Sequence, residues 1–181
     1  MTGENKVTLV ISSYPFEKLQ SFSFRPRLFK AGGATPDAIR LLTPKLEELL
    51  DAYIRARGEV PVRVRIECMD EVRDGVLGPM YVYLDAWLAR RVRGVDEMRE
   101  LHGLALGRTR EKYGCKQVDA FIVFPLRPVE ISVAPWVMRE LFELMMTTDA
   151  LLNVRSAGRL FGKEFAERVK QHNREVRASR S

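Results

Sequence analysis

The chain has 181 residues, of which 46% are hydrophobic, so it is long enough and apolar enough to build a real core, which excludes an intrinsically disordered chain. Its 30 basic and 24 acidic side chains give a net charge of +6. Two Cys and two His are too few for a disulfide framework or a four-ligand zinc site, so we expect no metal and no cofactor.

Hydropathy argues against a membrane or a secretory route. The longest unbroken apolar run, residues 120–126, is far shorter than the ~20 residues that a membrane span needs. The first residues lack the basic and apolar regions of a signal peptide, so we expect a cytoplasmic protein. The 22 Arg against 8 Lys, with only three Asn and three Gln, are typical of a thermophile and also of GC-rich codon use.

The first part of the chain predicts a strand, an irregular segment and a helix. Residues 6–12 are apolar and β-branched, which indicates a buried strand. In the aromatic loop that follows, the alternation over residues 21–25 predicts a hairpin back onto that strand. Thr43 before Pro44 predicts the start of a helix, whose apolar residues recur at helical spacing until Gly58 ends it.

The middle of the chain predicts strands around a second helix. Residues 60–68 alternate apolar and polar without a fault, and residues 80–84 suit a hairpin partner. Asp96 is placed to cap a helix that Gly114 ends. Residues 117–124 predict a strand covered on both faces, and residues 129–133 predict a further strand.

This order of elements resembles the ferredoxin-like βαββαβ arrangement. We therefore predict one α+β domain with an antiparallel or mixed sheet, an inserted N-terminal aromatic loop or hairpin, and a C-terminal helical extension. Residues 1–134 would form the sheet body, and residues 135–181 would form the helical extension packed on it. The extension would hold two helices, the second of them running from Thr148-Asp149 to about Arg177.

The excess charge lies almost entirely in the last segment. Residues 155–181 contain 8 basic and 3 acidic side chains, a net of +5. On one continuous helix of about 40 Å, six of these cations would share a face. We call them the basic stripe: Arg155, Arg159, Lys163, Lys170, Arg174 and Arg177. A neighbouring face would carry an apolar seam that includes Phe161, Phe165 and Val169.

Our first hypothesis is a non-enzymatic protein that binds RNA or single-stranded nucleic acid through the phosphates that the basic stripe meets. The alternative is a solvated face that an Arg-rich composition made basic. A third interpretation is a homo-oligomeric or partner-docking protein that uses the seam. The seam is too narrow for an interfacial membrane helix, so we expect no membrane partner. Gly158 and Gly162 inside this helix indicate either close packing or a break.

A second basic surface is predicted on the strand at residues 60–68. Arg63 and Arg65 point away from its apolar face, and Tyr81, Tyr83 and Phe121 would share their side. Aromatic rings beside Arg on a sheet are how many RNA-binding domains hold bases. The alternative is that the C-terminal helices cover this face and bury the rings.

Catalytic chemistry has little support in the residues. Four carboxylates near the end of the same strand could bind Mg²⁺: Glu67, Asp70, Glu71 and Asp74. A metal-dependent hydrolase that uses them is our least favoured hypothesis, because acidic turns between strands are common. Whether Cys68 and Cys115 approach each other is left open by the sequence.

Overall fold

A computed structural model describes residues 6–18, 25–73, 76–83, 89–114 and 117–181, and at 18, 69–73, 76–83 and 113 it describes the backbone alone. These residues form a mixed α+β structure with five α-helices and two antiparallel sheets. They divide into two compact units. The first unit comprises the described residues of Met1–Ile11, Phe16–Leu49 and Val129–Ser181, and the second comprises those of Ser12–Pro15 and Leu50–Pro128.

The first unit contains a two-stranded sheet and most of the helices. Strand β1 (Val7–Ile11) pairs antiparallel with a strand at Val129–Val133, with Val7 opposite Val133. Arg25 adds a single antiparallel bridge to Val10, and the other residues of the predicted hairpin, 21–24, lie outside the described residues. The helices follow in chain order: α1 (Pro36–Arg57, of which the first unit holds the part up to Leu49), α3 (Pro135–Met145), α4 (Val154–Phe161) and α5 (Lys163–Arg180).

The second unit is built on a five-stranded sheet. Its strands are β2 (Ser13–Tyr14), β3 (Val60–Arg73), β4 (Val76–Tyr83), β5 (Arg90–Val92) and β6 (Gln117–Val123), and the strand at Val129–Val133 is β7. The order is β2-β6-β3-β4, with β5 also paired to β3. Helix α2 (Val95–Tyr113) joins β5 to β6. The alternation of β3 puts Val62, Val64 and Ile66 in the core, as predicted.

The α+β class is confirmed, whereas the ferredoxin-like order is not. In that order the strand after the second helix would lie beside the first strand of the chain. Here β6 lies between β2 and β3, and β1 takes β7 as its partner. Because Val129, Ile131 and Val133 alternate as β1 does, β7 offers β1 an apolar partner that the βαββαβ pattern does not contain.

Helix α1 starts eight residues before the predicted position. Its first residue is Pro36, and the Thr35 hydroxyl accepts a hydrogen bond from the Ala38 N–H at 3.4 Å. Pro44 therefore lies inside the helix, where the Thr43 hydroxyl donates to the Ile39 carbonyl at 2.7 Å instead of capping a helix. The predicted end is confirmed, because Gly58 follows Arg57 with a positive φ of 81°.

The long C-terminal helix is two helices rather than one. Gly162, with φ of 89°, separates α4 from α5. Gly158 has the other predicted role, close packing, because a Cβ there would stand 3.3 Å from the Ala166 Cβ. One glycine thus breaks the helix, and the other lets α4 and α5 pack closely together.

The prediction that Asp96 caps α2 is wrong, because a residue of α1 caps this helix instead. The Asp51 carboxylate accepts a hydrogen bond from the Val95 N–H at 2.9 Å and pairs with Arg55 at 2.7 Å. Gly94 makes this approach possible, because a Cβ there would stand 2.8 Å from Asp51 Oδ1. The hydrogen bond from Val95, followed by the one from Arg55, lowers the pKa of the Asp51 carboxyl.

Replacing Asp51 by Ala is expected to lower the free energy of unfolding at pH 7 by about 1 kcal/mol, the usual effect of losing a helix cap. Because the folded pKa lies below the unfolded value of about 3.9, the stabilisation is complete above that value and is lost as the pH falls through the folded pKa. Urea denaturation of the wild type and of Asp51→Ala should therefore show a difference in the free energy of unfolding that becomes smaller below about pH 4.

Asp37→Ala is the matched control for this prediction. Asp37 pairs with Arg40 on the surface of α1, with side chains 73% and 76% exposed, and such a pair contributes at most about 0.5 kcal/mol. Equal losses in the two variants, or a loss for Asp51→Ala that does not change with pH, would contradict the capping role.

Candidate nucleic-acid interface

All six cations of the basic stripe are exposed, but they do not form one continuous face. Arg155 and Arg159 lie on α4, and the other four lie on α5. The break at Gly162 interrupts the phase that would align the two groups on a single helix. The stripe therefore has to be considered as two sets of cations on two helices.

Three cations of α5 line a groove with a lysine from the N-terminal part of the chain. The groove has a volume of about 290 Å³. The charged residues in its described lining are all cations: Lys30, Lys170, Arg174 and Arg177. Its other lining residues are Leu152, Asn153, Val154 and Asn173. We call this feature the basic groove.

The bottom of the basic groove is held by backbone pairing between two distant segments. The Lys30 N–H donates to the Leu151 carbonyl at 2.9 Å, and the Asn153 N–H donates to the Leu28 carbonyl at 2.9 Å. Phe29 and Leu152 form the antiparallel bridge between these bonds. This pairing brings Lys30 to α5, although Lys170 lies 140 residues further along the chain.

Two side chains of α5 hold the same segment from the other side. Asn173 is 3% exposed; its Oδ1 accepts from the Leu152 N–H at 2.9 Å, and its Nδ2 donates to the Leu152 carbonyl at 3.0 Å. His172 is also buried, and its Nε2 lies 2.8 Å from the Ala150 carbonyl, which requires a proton on that nitrogen. These bonds fix the segment 150–152 to the helix that carries the cations.

Gly33 allows the close approach of the two backbone segments that carry Lys30 and Leu152. A Cβ at this position would lie well inside contact distance of the Leu151 carbonyl oxygen. The Gly33 N–H donates to the Lys30 carbonyl at 2.7 Å, and the Gly33 carbonyl accepts from the Leu151 N–H at 2.9 Å. The pair Gly32-Gly33 thus builds a fixed turn that places Lys30.

One carboxylate lies beside the cations of α5. Glu167 pairs with Lys170 at 3.1 Å, and this hydrogen bond, with the charges of Lys170, Arg174 and Lys163, lowers the pKa of Glu167. Glu167 does not line the basic groove. Lys30, Arg174 and Arg177 form no salt bridge with the residues that the structure describes. The groove is therefore strongly cationic.

Arg63 and Arg65 lie on β3, in the second unit. Arg63 is exposed, whereas Arg65 is half-buried and lies 3.6 Å from Glu67. The register sets Arg65 opposite both Tyr83 and Phe121, so the predicted juxtaposition is present in the backbone. Phe121 is only 3% exposed, however, and the side chains of Tyr81 and Tyr83 lie outside the described part. The ring of Phe121 is thus not available for stacking on a base, which corrects that part of the prediction.

The apolar seam packs within the first unit. Phe165 is 3% exposed and Val169 is fully buried. Phe161 and Phe165 pack edge to face, with ring centroids 5.1 Å apart, and both rings contact Phe142 of α3. Arg139 and Arg168 lie over the ring of Phe165 at 5.0 and 5.3 Å. Phe165 and Val169 therefore have little surface left to offer a partner chain, whereas Phe161 is half-buried.

The structure gives little support to the remaining predicted sites. Of the four clustered carboxylates, only the Glu67 side chain is described, and Asp74 falls outside the described residues, as does Cys115. Cys68 is buried. Among the described side chains, no three His, Cys, Asp or Glu are grouped to hold a metal ion. The described helices include none with the length and hydropathy of a membrane span.

The sequence pointed to the cations of α5 but missed the other half of the site. Lys30 lies in the aromatic loop, and neither hydropathy nor helical spacing marks Lys30, Asn153 or Asn173 as site residues. A usable signal was the rarity of Asn, with three in the whole chain, two of which line the basic groove. Comparison with protein-family models, curated proteins and solved structures finds no match for this chain.

Proposed function

We propose that this protein binds RNA or other single-stranded nucleic acid, and that the basic groove is where it holds the phosphates. The observation that carries the proposal is the lining of the groove, in which four cations from two distant segments meet and none of the described residues is a carboxylate. Like charges gathered in a concavity repel one another, and an anionic ligand relieves that repulsion. The proposal places this binding in the cytoplasm and involves no catalysis.

The arrangement of the cations suits a chain of phosphates. Lys170, Arg174 and Arg177 are spaced by one helical turn each, so their attachment points span about 10 Å along α5. Guanidinium groups bind phosphate oxygens in pairs, and an ammonium group acts as a point charge beside them. Lys30 supplies the fourth cation from the opposite segment.

The backbone around the basic groove supports preorganised binding. The segment 151–153 is held by backbone bonds from residues 28–33 and by the Asn173 side chain, so three of the elements that line the groove are fixed to each other. Only the long cationic side chains have to lose freedom when a ligand binds. Binding at such a site therefore costs less conformational entropy than binding by a mobile basic tail would.

Binding of a labelled single-stranded RNA, measured by fluorescence anisotropy at several salt concentrations, tests the proposal. Four phosphate contacts predict a plot of log K against log salt with a slope of about −3. Participation of the whole basic stripe together with Lys30 would steepen the slope to about −5. No binding at 50 mM salt, or an affinity that salt does not change, would show the proposal to be wrong.

A further inference from the structure

We infer that the basic groove binds the phosphate chain of its ligand and does not read the bases. It follows that a linear chain of phosphates without bases, such as inorganic polyphosphate, occupies the same groove. This inference rests on the proposed function and narrows it, because it names the part of the nucleic acid that the protein recognises.

The first argument is the hydrogen-bonding chemistry of the lining. Lys and Arg side chains only donate hydrogen bonds, and the oxygens of a phosphate diester only accept them. The edge of a base presents a mixed pattern of donors and acceptors, so reading it requires free acceptors as well as donors. A lining that offers donors alone matches phosphate and discriminates poorly between bases.

The second argument is that the amide oxygens of the lining are already used by the fold. The Asn153 Oδ1 caps α4 by accepting from the Ser156 N–H at 2.9 Å. The Asn173 Oδ1 accepts from the Leu152 N–H, and its Nδ2 donates to the Leu152 carbonyl. The Lys30 and Asn153 carbonyls accept from the N–H groups of Gly33 and Ala157. The side-chain oxygens of Asn153 and Asn173 thus each accept a hydrogen bond within the fold before a ligand arrives.

The third argument is that the described lining offers no stacking surface. The eight described residues that line the basic groove include no aromatic side chain, and the apolar ones are Leu152 and Val154. Sequence-tolerant binding of single strands usually adds base stacking on aromatic rings to the contacts with phosphate. A groove of about 290 Å³ is also at the lower end of small-molecule pockets, which suits a few phosphate groups better than phosphates with stacked bases.

A competition experiment tests this inference. A labelled single-stranded RNA is bound to the full-length protein and displaced by unlabelled competitors with equal numbers of charges. The competitors are oligo-U, oligo-C, inorganic polyphosphate and polyglutamate. We expect the two RNAs and polyphosphate to displace the label within about threefold of one another at 0.1 M salt, and polyglutamate to displace it at least tenfold less well.

The outcomes separate this inference from the proposed function. Tight binding of RNA together with polyphosphate that fails to displace it would overturn the inference and leave the proposed function intact. A difference of more than tenfold between oligo-U and oligo-C would do the same, as would polyglutamate that competes as well as polyphosphate. If the labelled RNA itself does not bind at 50 mM salt, the proposed function fails. Direct titration with polyphosphate then asks whether the groove takes phosphate chains alone.

Discussion

Replacing Lys170, Arg174 and Arg177 together by Gln is expected to weaken RNA binding about a hundredfold at 0.1 M salt. At this salt concentration, the counterion release that accompanies each phosphate contact with a single strand raises the affinity about fivefold. The factors for three contacts multiply, so losing all three lowers the affinity about a hundredfold. The three side chains are exposed on α5, so the variant should fold as the wild type does. Fluorescence anisotropy with one RNA measures the loss, and circular dichroism checks the fold.

The control for this variant removes the same net charge at another place. Arg90, Arg110 and Arg127 are exposed residues of the second unit, and their joint replacement by Gln also lowers the net charge by three. We expect this control to weaken binding by less than about fivefold, the share of a single contact. Equal losses in the two triple variants would mean that RNA responds to the net charge of the protein, which would contradict a localised site.

Asn173→Ala is expected to have the largest effect on stability of the changes considered. It removes both partners of the Leu152 backbone, which is fully buried. A buried donor or acceptor left without a partner costs about 1–3 kcal/mol, so the free energy of unfolding should fall by about 3 kcal/mol. Urea denaturation should show the loss as a lower midpoint with little change in the slope.

Gln171→Ala provides the comparison for the Asn173 variant. Gln171 is exposed two residues earlier on α5, and its amide bonds the Glu175 carboxylate at 3.2 Å on the surface. Its removal should change the free energy of unfolding by less than about 0.5 kcal/mol. A loss for Asn173→Ala as small as that for Gln171→Ala would show that the segment 150–152 does not depend on its bonds to α5.

Local patterns predicted most of the individual elements, and the errors came from choosing between equivalent local signals. The pair Thr-Pro occurs twice, at residues 35–36 and 43–44, and the first copy begins α1. Extending the apolar repeat backward from Leu46 to Leu42 and Ala38, both fully buried, would have favoured the first copy. The cap of α2 could not be found locally, because Asp51 lies 44 residues before Val95.

Long-range pairing was beyond what the sequence predicts. The local sequence of β1, β3 and β6 predicts a strand in each case. Which strand each one pairs with depends on contacts between distant segments, and β1 pairs with β7. The candidate site shows the same limit. The phase of a helix put Lys170, Arg174 and Arg177 on one face, whereas Lys30 joins them only through the backbone pairing of residues 28–33 with 151–153.

The most direct test of the account is the effect of a single residue, Lys30, on the salt dependence of RNA binding. Among the described lining residues, Lys30 is the one cation that does not belong to α5, and Lys30→Gln removes it. Arg27→Gln removes an exposed cation of the same segment that is not among those lining residues. We expect Lys30→Gln to weaken binding about fivefold at 0.1 M salt and to reduce the slope of log K against log salt from about −3 to about −2. Arg27→Gln should leave the slope at its wild-type value. Identical slopes for the two variants would contradict the claim that Lys30 and α5 form one binding site.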